Sequence, residues 1–580
     1  MRHPIVPTFS LLLGAGVSVL LLLGACVPDQ PPGLQDPADG HSLGTDQDPS
    51  DVDPGQDAAQ GQHAGGHTDM NHQEEGAHDH GEAPSDLSQV GRVEFPVSCS
   101  PGAVSRFETG VAMFHSFWFP QADSAFQAAL EADPGCAMAE WGRAMAQMGN
   151  PYAGSIPEAR RRTALEALDR AAALEPPTDR EQGYIQGARL LFDDQVGSEF
   201  ERRRAWETAM EELHATYPDD PEAGVFLGLA LLANAPPDDT TFVRQLRAAE
   251  ILEELFQDQP GHPGLAHYII HAYDTPILAD RGLDAALSYA DIAPDAPHAQ
   301  HMPSHIFTRL GMWEHSIEAN LRSADASGSD WARVHPWDYL VYAYLQQGRD
   351  REAARIVEQA EAAAALAPSP AAAERAYNWQ AMPARLTLER EDWAEAAQLE
   401  IRGTDPHQAI AIRHFARGVG MARIGELDGA RREQETLERI QEALEEEGEG
   451  YWARIVEAQA LAVSAWIEAG QGDLARGVAL ADEAATLEEL AEKHPVTPGP
   501  ILPAREMHGE LLLLAQRPQE ALEVFNRVLE REPNRARATF YAARAAEAAG
   551  EMAAAEQFRS AYRELTAQGD GSRSWDQEAR

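Results

Sequence analysis

Hydrophobic positions divide this chain into three zones. Residues 11–23 form a continuous apolar run, and residues 27–92 are almost devoid of aliphatic side chains. From residue 93 onward, apolar positions recur among Ala, Leu, Glu and Arg, a composition that favours helix, and strand signals are scarce. The pattern predicts a short hydrophobic N-terminal segment, a polar linker and a large all-α body.

One spacing occurs twice in the body. It places a small residue, a Phe, a second apolar residue and a Pro in the same register: Ala122, Phe126, Ala129 and Pro134, then Ala521, Phe525, Val528 and Pro533. A glycine, Gly110 or Gly509, stands twelve residues before each leading alanine. This is the arrangement of tetratricopeptide repeats (TPRs), in which a small residue lets two helices cross closely. We expect residues 93–569 to form an all-α, TPR-like α-helical solenoid of antiparallel helix pairs, wound into a right-handed superhelix with a concave groove.

The sequence pattern of residues 1–25 is typical of a targeting segment. The apolar run is too short and too early for a convincing membrane span, and it ends in Leu23-Gly24-Ala25-Cys26, which resembles a bacterial lipobox. We expect residues 1–25 to be a lipoprotein signal peptide and Cys26 to carry the lipid. An uncleaved N-terminal anchor is the alternative. Either arrangement predicts a protein of the cell envelope, lipid-anchored or membrane-anchored and extracytoplasmic.

Residues 26–92 are predicted to be a disordered, acidic, His-rich linker, because they cannot bury enough apolar surface to offset the entropy of ordering. We call five of its side chains the linker histidines: His63, His67, His72, His78 and His80. They either collect transition metals weakly or belong to a simple polar spacer. A disordered tail is expected at residues 570–580.

Charge and cysteines narrow the choice of partners and compartment. The formal net charge is −48, with Lys493 as the single lysine, so phosphates should repel the protein and nucleic-acid binding is not expected.

Cys99 and Cys136 flank the first predicted helix pair, whose ends lie near one another, and a disulfide between them is expected. It would close a loop of about 38 residues, worth about 3–4 kcal/mol in the chain-entropy model. Free or metal-binding thiols are the alternative.

Five closely spaced histidines make residues 262–311 chemically unusual: His267, His271, His298, His301 and His305. His267 and His271 are four residues apart on a predicted helix and share a face. We predict that the five converge as ligands of copper, zinc or iron. Asp274, His335 and Asp338 are expected to support them from the second shell. Helix capping and aromatic stacking are the alternative roles, and His414 and His494, which are isolated in sequence, are expected to be structural.

Several long motifs are spread through the body: FHSFWFPQADSAFQAALEADPGCAMAEWG, HYIIHAYDTP, HAQHMPSHIFTRLGMWE, HPWDYLVYAYLQQGR, AMPARL and KHPVTPGPILPARE. In these the chain resembles a family of bacterial TPR lipoproteins with HYIIHAYD and HMPSHIF motifs. The resemblance implies the helical-repeat fold and carries over no catalytic residue. Two functions follow as hypotheses. The first is a scaffold that binds an unidentified protein or peptide in its groove, which rests on fold analogy. The second is a metal-binding protein or metalloenzyme.

Overall fold

The structure is a computed structural model that describes residues 89–152, 155–236, 239–366, 373–402, 406–491 and 493–579. These residues belong to one compact unit, Asp79–Arg580. They form α-helices and two short 3-10 helices and include no strand. None of the helices described is both long and apolar enough to cross a membrane. The predicted signal peptide, Cys26 and the linker histidines lie outside the described residues.

The helices are, in chain order, α1 Pro101–His115, α2 Phe119–Ala132, α3 Ala137–Ala146, α4 Glu158–Ala173, α5 Asp179–Phe192, α6 Glu199–Thr216, α7 Pro221–Ala233, α8 Val243–Asp258, α9 Pro263–Tyr273, α10 Leu283–Ile292, α11 Pro297–His301, α12 Pro303–Arg309, α13 Trp313–Ala326, α14 Asp330–Gln346, α15 Asp350–Leu366, α16 Ala373–Glu389, α17 Trp393–Ala396, α18 His407–Arg423, α19 Leu427–Glu446, α20 Gly450–Gly470, α21 Leu474–Glu489, α22 Ala504–Leu514, α23 Pro518–Arg531, α24 Ala536–Ala548, α25 Met552–Leu565 and α26 Asp576–Ala579. The 3-10 helices are Asp194–Val196 and Ala279–Gly282.

Neighbouring helices pack in pairs, as in a TPR array. The first helix of a pair also contacts the first helix of the next, as α1 does with α3 and α18 with α20. These first helices form an inner layer: ten of the eleven residues of α9 are buried, but only Ala285, Ala286 and Tyr289 are buried on α10. The fold is therefore a TPR-like helical repeat, as the sequence predicts. Inner helices covered on both sides explain why their sequences are apolar almost all round.

The glycine spacing that indicated repeats has the expected physical cause. A Cβ atom on Gly110 would lie 2.6 Å from Cε1 of Phe126, and one on Gly509 would lie 2.6 Å from Cζ of Phe525. Real Cβ atoms do not come so close to other carbon atoms, so only glycine lets the two helices of each pair approach to this distance.

Cys99 and Cys136 lie at disulfide distance, with Cα atoms 4.9 Å apart. The bond ties the start of α1 to the start of α3, across the first helix pair. It links the ends of the hairpin in the way that the sequence predicted.

Both predicted boundaries of the body need correction. Val90 is buried and the backbone N–H of Arg92 donates to the carbonyl of Gly261, so packing begins ahead of residue 93. The predicted disordered tail includes an ordered segment, because Arg573 and Trp575 are both 4% exposed. Apolar burial and an ion pair to Asp350 hold this segment, and the surrounding polar composition concealed both.

The C-terminal half folds back onto the middle of the chain. The indole N–H of Trp313 donates to the carbonyl of Asn534 (2.8 Å), and α24 contacts α14. A proline-rich stretch between α21 and α22, residues 493–503, lies against the inner helices, and we call it the strap. Arg385 on α16 fixes it by donating to the carbonyl oxygens of Pro500 (2.7 Å) and Gly499 (2.9 Å).

Candidate metal centre

The inner helices bring the five predicted histidines together and add a sixth. His267 and His271 come from α9, His298 and His301 from α11, and His305 from α12. The sixth, His335, comes from α14. It was expected only as a supporting residue, but its ring centre lies 4.4 Å from that of His301.

A short break between α11 and α12 places His301 and His305 side by side. Pro303 at the start of α12 has no backbone N–H, so the α11 hydrogen-bond ladder cannot continue through it. The Nε2 atoms of His301 and His305 are 3.0 Å apart. Both side chains are buried.

The six histidines form two sets of three. Within each set, one candidate ligand atom per residue lies within 4.8 Å of the others. We call His267, His271 and His298 the first triad, and His301, His305 and His335 the second triad. A metal ion bonded to imidazole at about 2.0–2.1 Å fits nitrogen atoms spaced in this range.

Each imidazole of the second triad has its Nδ1 atom against an oxygen atom. The distances are 2.6 Å from His301 to Asn320 Oδ1, 2.8 Å from His305 to Asp274 Oδ2, and 3.3 Å from His335 to Asn378 Oδ1. All three oxygens accept hydrogen bonds and cannot donate. The three Nδ1 atoms therefore carry the protons.

The two amide orientations follow from their other contacts. The Nδ2 group of Asn320 donates to the carbonyl of Ser316 (2.7 Å), and that of Asn378 donates to the carbonyl of Val496 (2.7 Å). Carbonyls only accept, so the amide nitrogens face them and the amide oxygens face the histidines. The Nε2 lone pairs of His301 and His305 then face each other 3.0 Å apart, and the ring of His335 lies beside them, with its centre 4.4 Å from that of His301. A cation between these imidazoles would stabilise the arrangement.

Asp274 lies against Nδ1 of His305. Besides His305, it contacts Arg309 (Nε–Oδ1 2.9 Å) and Lys493 of the strap (Nζ–Oδ2 2.8 Å). Burial opposes the charge of this carboxylate, but the two cations outweigh burial and hold its pKa well below the usual range. An ionised Asp274 fixes the tautomer of His305.

Asp338 supports the site less directly than predicted. It pairs with Arg385 (2.9 Å), and both side chains are fully buried. It also accepts from Nδ2 of Asn378 (3.0 Å), which in turn orients His335. Asp338 therefore acts on His335 only through Asn378.

In the first triad, His267 has a defined tautomer. Its Nδ1 donates to the backbone carbonyl of His115 (2.6 Å), so its Nε2 carries a lone pair, 3.1 Å from Nε2 of His298. The Nε2 atom of His271 is buried and has no hydrogen-bond partner among the described residues. A buried ring nitrogen without a hydrogen-bond partner is unusual, and a ligand or a water molecule would satisfy it.

Burial also favours neutral imidazole in the cluster. It lowers the pKa of His305 to about 4, and it lowers the pKa values of four further histidines well below the usual range: His267, His271, His298 and His301. Neutral imidazole is the form that binds metals.

Four of the histidines line a small cavity with room for about one water molecule. Its walls are Asn150, Tyr152, His271, His298, Met302, His305, His335, His494, Pro495 and Val496. The last three belong to the strap, so the C-terminal half closes the cavity. His494, expected to be purely structural, lies at its wall while its ring also packs against Trp452 (5.1 Å).

A separate histidine–carboxylate group lies beside the first triad. Both oxygens of Glu222 are engaged, by His262 Nε2 (2.7 Å) and His115 Nε2 (3.0 Å). The remaining ring nitrogens are also satisfied: Nδ1 of His262 accepts from the backbone N–H of Leu265 (3.3 Å), and Nδ1 of His115 accepts from the hydroxyl of Tyr268 (2.9 Å). We call this the Glu222 network. All its polar groups are paired within the protein, and through the carbonyl of His115 it positions His267.

Sequence reasoning missed His115, Glu222, Asn320 and Asn378, and it ranked His335 too low. His262 carried one signal, because it precedes a proline at a helix start, where it caps α9. No short spacing marks the others, since each comes from a different helix pair.

No protein-family model and no curated protein matches the chain. Solved structures that resemble it include a human IFIT1 dimer with m7Gppp-AAAA, at 12% identity and TM-score 0.37, covering 74% of this chain and 90% of that one. Another is Naa15/Naa10 bound to HypK-THB, at 12% identity and TM-score 0.23, covering 82% and 71%. Likeness this low carries no argument about function.

Proposed function

We propose that this TPR-like protein binds a first-row transition metal, copper, zinc or iron, in the histidine cluster at its inner layer. One observation carries the proposal. Three imidazoles of the second triad each donate Nδ1–H to an acceptor-only oxygen, the Nε2 lone pairs of His301 and His305 face each other, and one nitrogen of each ring lies within 4.8 Å of the others. Ligating histidines typically have an oxygen acceptor of this kind behind them.

The surroundings support the same function. The cavity leaves room beside the triads for a water molecule, which a metalloenzyme would need. A purely structural histidine cluster would be expected to pair its ring nitrogens, as the Glu222 network does.

Metal content tests the proposal. The background protein is the full chain with the linker histidines replaced by Gln, which removes their competing sites. We expect at least one equivalent of metal per chain by elemental analysis, and about one equivalent less in the double variant His301→Gln, His335→Gln. His315→Gln is the matched control, because His315 is exposed on α13 outside the cluster.

Circular dichroism establishes that the double variant is folded. A background protein that holds no metal after incubation with each of the three ions overturns the proposal. So does a double variant that keeps its full metal content.

We also propose a lipid-anchored location outside the cytoplasm. The lipobox-like Leu23-Gly24-Ala25-Cys26 supports the anchor, and the Cys99–Cys136 pair at disulfide distance suits an oxidising compartment. Cys26→Ser should leave an unprocessed precursor. A variant that is still processed and still associates with the membrane would contradict the anchor.

Binding of a protein or peptide partner is a second candidate function, favoured by one cleft. The cleft is lined by aromatic and apolar residues that include Tyr377, Phe415, Trp452 and Ile455, and by charged residues that include Arg505 and Glu532. A photo-crosslinking residue at Ile455 should capture one defined partner in cells. The same residue at the exposed Glu442 of α19 is the control, and equal labelling from both positions would reject the cleft.

A further inference from the structure

The two triads lie next to each other, and both contribute to the wall of the cavity. The ring centre of His271 is 6.0 Å from that of His305, and the ring centre of His298 is 6.1 Å from that of His301. Short α11 contributes to both, since His298 belongs to the first triad and His301 to the second.

A separate set of contacts indicates that the first triad can bind an ion. The backbone carbonyl behind His267 leaves a lone pair on its Nε2 atom, which lies 3.1 Å from Nε2 of His298. The buried Nε2 of His271 lacks a partner. These observations involve none of the residues that define the second triad.

The distance between the triads suits a pair of ions. Because rings of the two triads lie only 6.0 and 6.1 Å apart, one ion in each triad would leave the two ions close neighbours. At about 3.5–4 Å, two metals can share one bridging ligand. The small cavity restricts such a ligand to about the size of a water molecule.

We propose that the cluster is a binuclear copper centre with one ion in each triad. This inference rests on the proposed metal-binding function and specifies its metal and stoichiometry. Each triad consists of imidazoles alone, and imidazole suits copper. Binuclear iron sites in helical bundles instead take Glu as well as His ligands, and neither triad includes a carboxylate. Met302, whose thioether suits Cu(I), also lines the cavity.

Copper stoichiometry provides the first measurement, in the full chain with the linker histidines replaced by Gln. We expect two copper ions per chain. The double variant His267→Gln, His271→Gln should hold one, and so should His301→Gln, His335→Gln. The exposed control His315→Gln should hold two.

Electron paramagnetic resonance supplies the second measurement. Two Cu(II) ions that share a bridging ligand couple magnetically, so the signal of the two-copper protein should fall well below its copper content. Each one-copper variant should show a signal that matches its copper content. Two coppers with full signal intensity would overturn the binuclear centre.

The copper content of the two double variants separates a binuclear centre from metal binding at a single site. One copper per chain, lost in the second-triad variant and retained in the first-triad variant, overturns the binuclear centre and leaves the proposed function standing. No bound copper, zinc or iron overturns both.

Discussion

Two groups of buried histidines lie side by side in the inner layer, and they use their hydrogen bonds in opposite ways. In the Glu222 network, each N–H meets an acceptor and each lone pair meets a donor, so the group is closed. In the second triad, the N–H groups point outward to oxygens and the lone pairs point inward to one another. Both groups supply three residues of metal-binding type within 4.8 Å. Residue type and distance therefore do not distinguish them, and proton positions do.

Breaking the Glu222 network should produce the largest loss of stability. Glu222→Ala leaves two buried imidazole N–H groups without their carboxylate, and we expect a loss of about 3–5 kcal/mol in the free energy of unfolding. Chemical denaturation measures it, with Glu442→Ala on the exposed face of α19 as the control. If Glu222→Ala instead lost metal at unchanged stability, the network would be a metal site.

Glu222 should also make the free energy of unfolding depend on pH. Burial would raise the pKa of Glu222, but His262 and His115 outweigh burial and hold it at about 2. The folded-state pKa is thus below the unfolded value of about 4.3. Its stabilisation is complete above the unfolded pKa and is lost as pH falls toward 2. Glu222→Gln should lack this part of the acid-induced loss, measured by denaturation between pH 5 and pH 2.

Removing the disulfide should cost nearly as much without touching either histidine group. Cys99→Ser with Cys136→Ser frees a long loop in the unfolded chain, and we expect a loss of about 3–4 kcal/mol. Reductant should lower the melting temperature of the wild type and leave that of the variant unchanged. Equal responses to reductant would show that no bond forms.

Metal should stabilise the protein through the triads. An ion at 100 times its Kd raises the free energy of unfolding by about 2.7 kcal/mol if it binds only the folded state. A chelator should remove the gain. The double variant His301→Gln, His335→Gln should show a smaller gain, and Glu222→Gln should keep the full one. Calorimetry with and without copper measures the difference, and equal gains in all three proteins would contradict the comparison.

The smallest expected effect is a loss of metal affinity when the Asp274 carboxylate, which accepts a hydrogen bond from His305, loses its charge. Asp274→Asn removes the charged acceptor and should weaken metal affinity about 10–100-fold, equivalent to about 1.4–2.7 kcal/mol. Competition with a chelator of known affinity measures it. Asp284→Asn, an exposed aspartate on α10, is the control, and an unchanged affinity for Asp274→Asn would remove this aspartate from the site.

The fold could be predicted from the sequence because the contacts that define each repeat join residues close together in the chain. The spacing from Gly110 to Phe126 reflects a contact within one helix pair, so it can be read over a short stretch. The same locality revealed His267 and His271, four residues apart on α9. Cys99 and Cys136 were equally accessible, since both flank a single hairpin.

The remainder of the site depends on how distant pairs stack. His335 meets His301 from the next inner helix, and Asn378, which orients His335, lies 43 residues further along. His115 reaches Glu222 across 107 residues. Small rotations between repeats decide such contacts, and no short spacing in the sequence encodes those rotations.

The strap makes the two halves of the chain depend on each other. Lys493 pairs with Asp274, which lies 219 residues earlier in the chain. His494, Pro495 and Val496 complete the wall of the cavity, whose other side is formed by the N-terminal half and the inner helices. The N-terminal repeats therefore cannot complete this cavity by themselves. A chain cut before residue 493 would leave Asp274 without its lysine and the cavity open on one side.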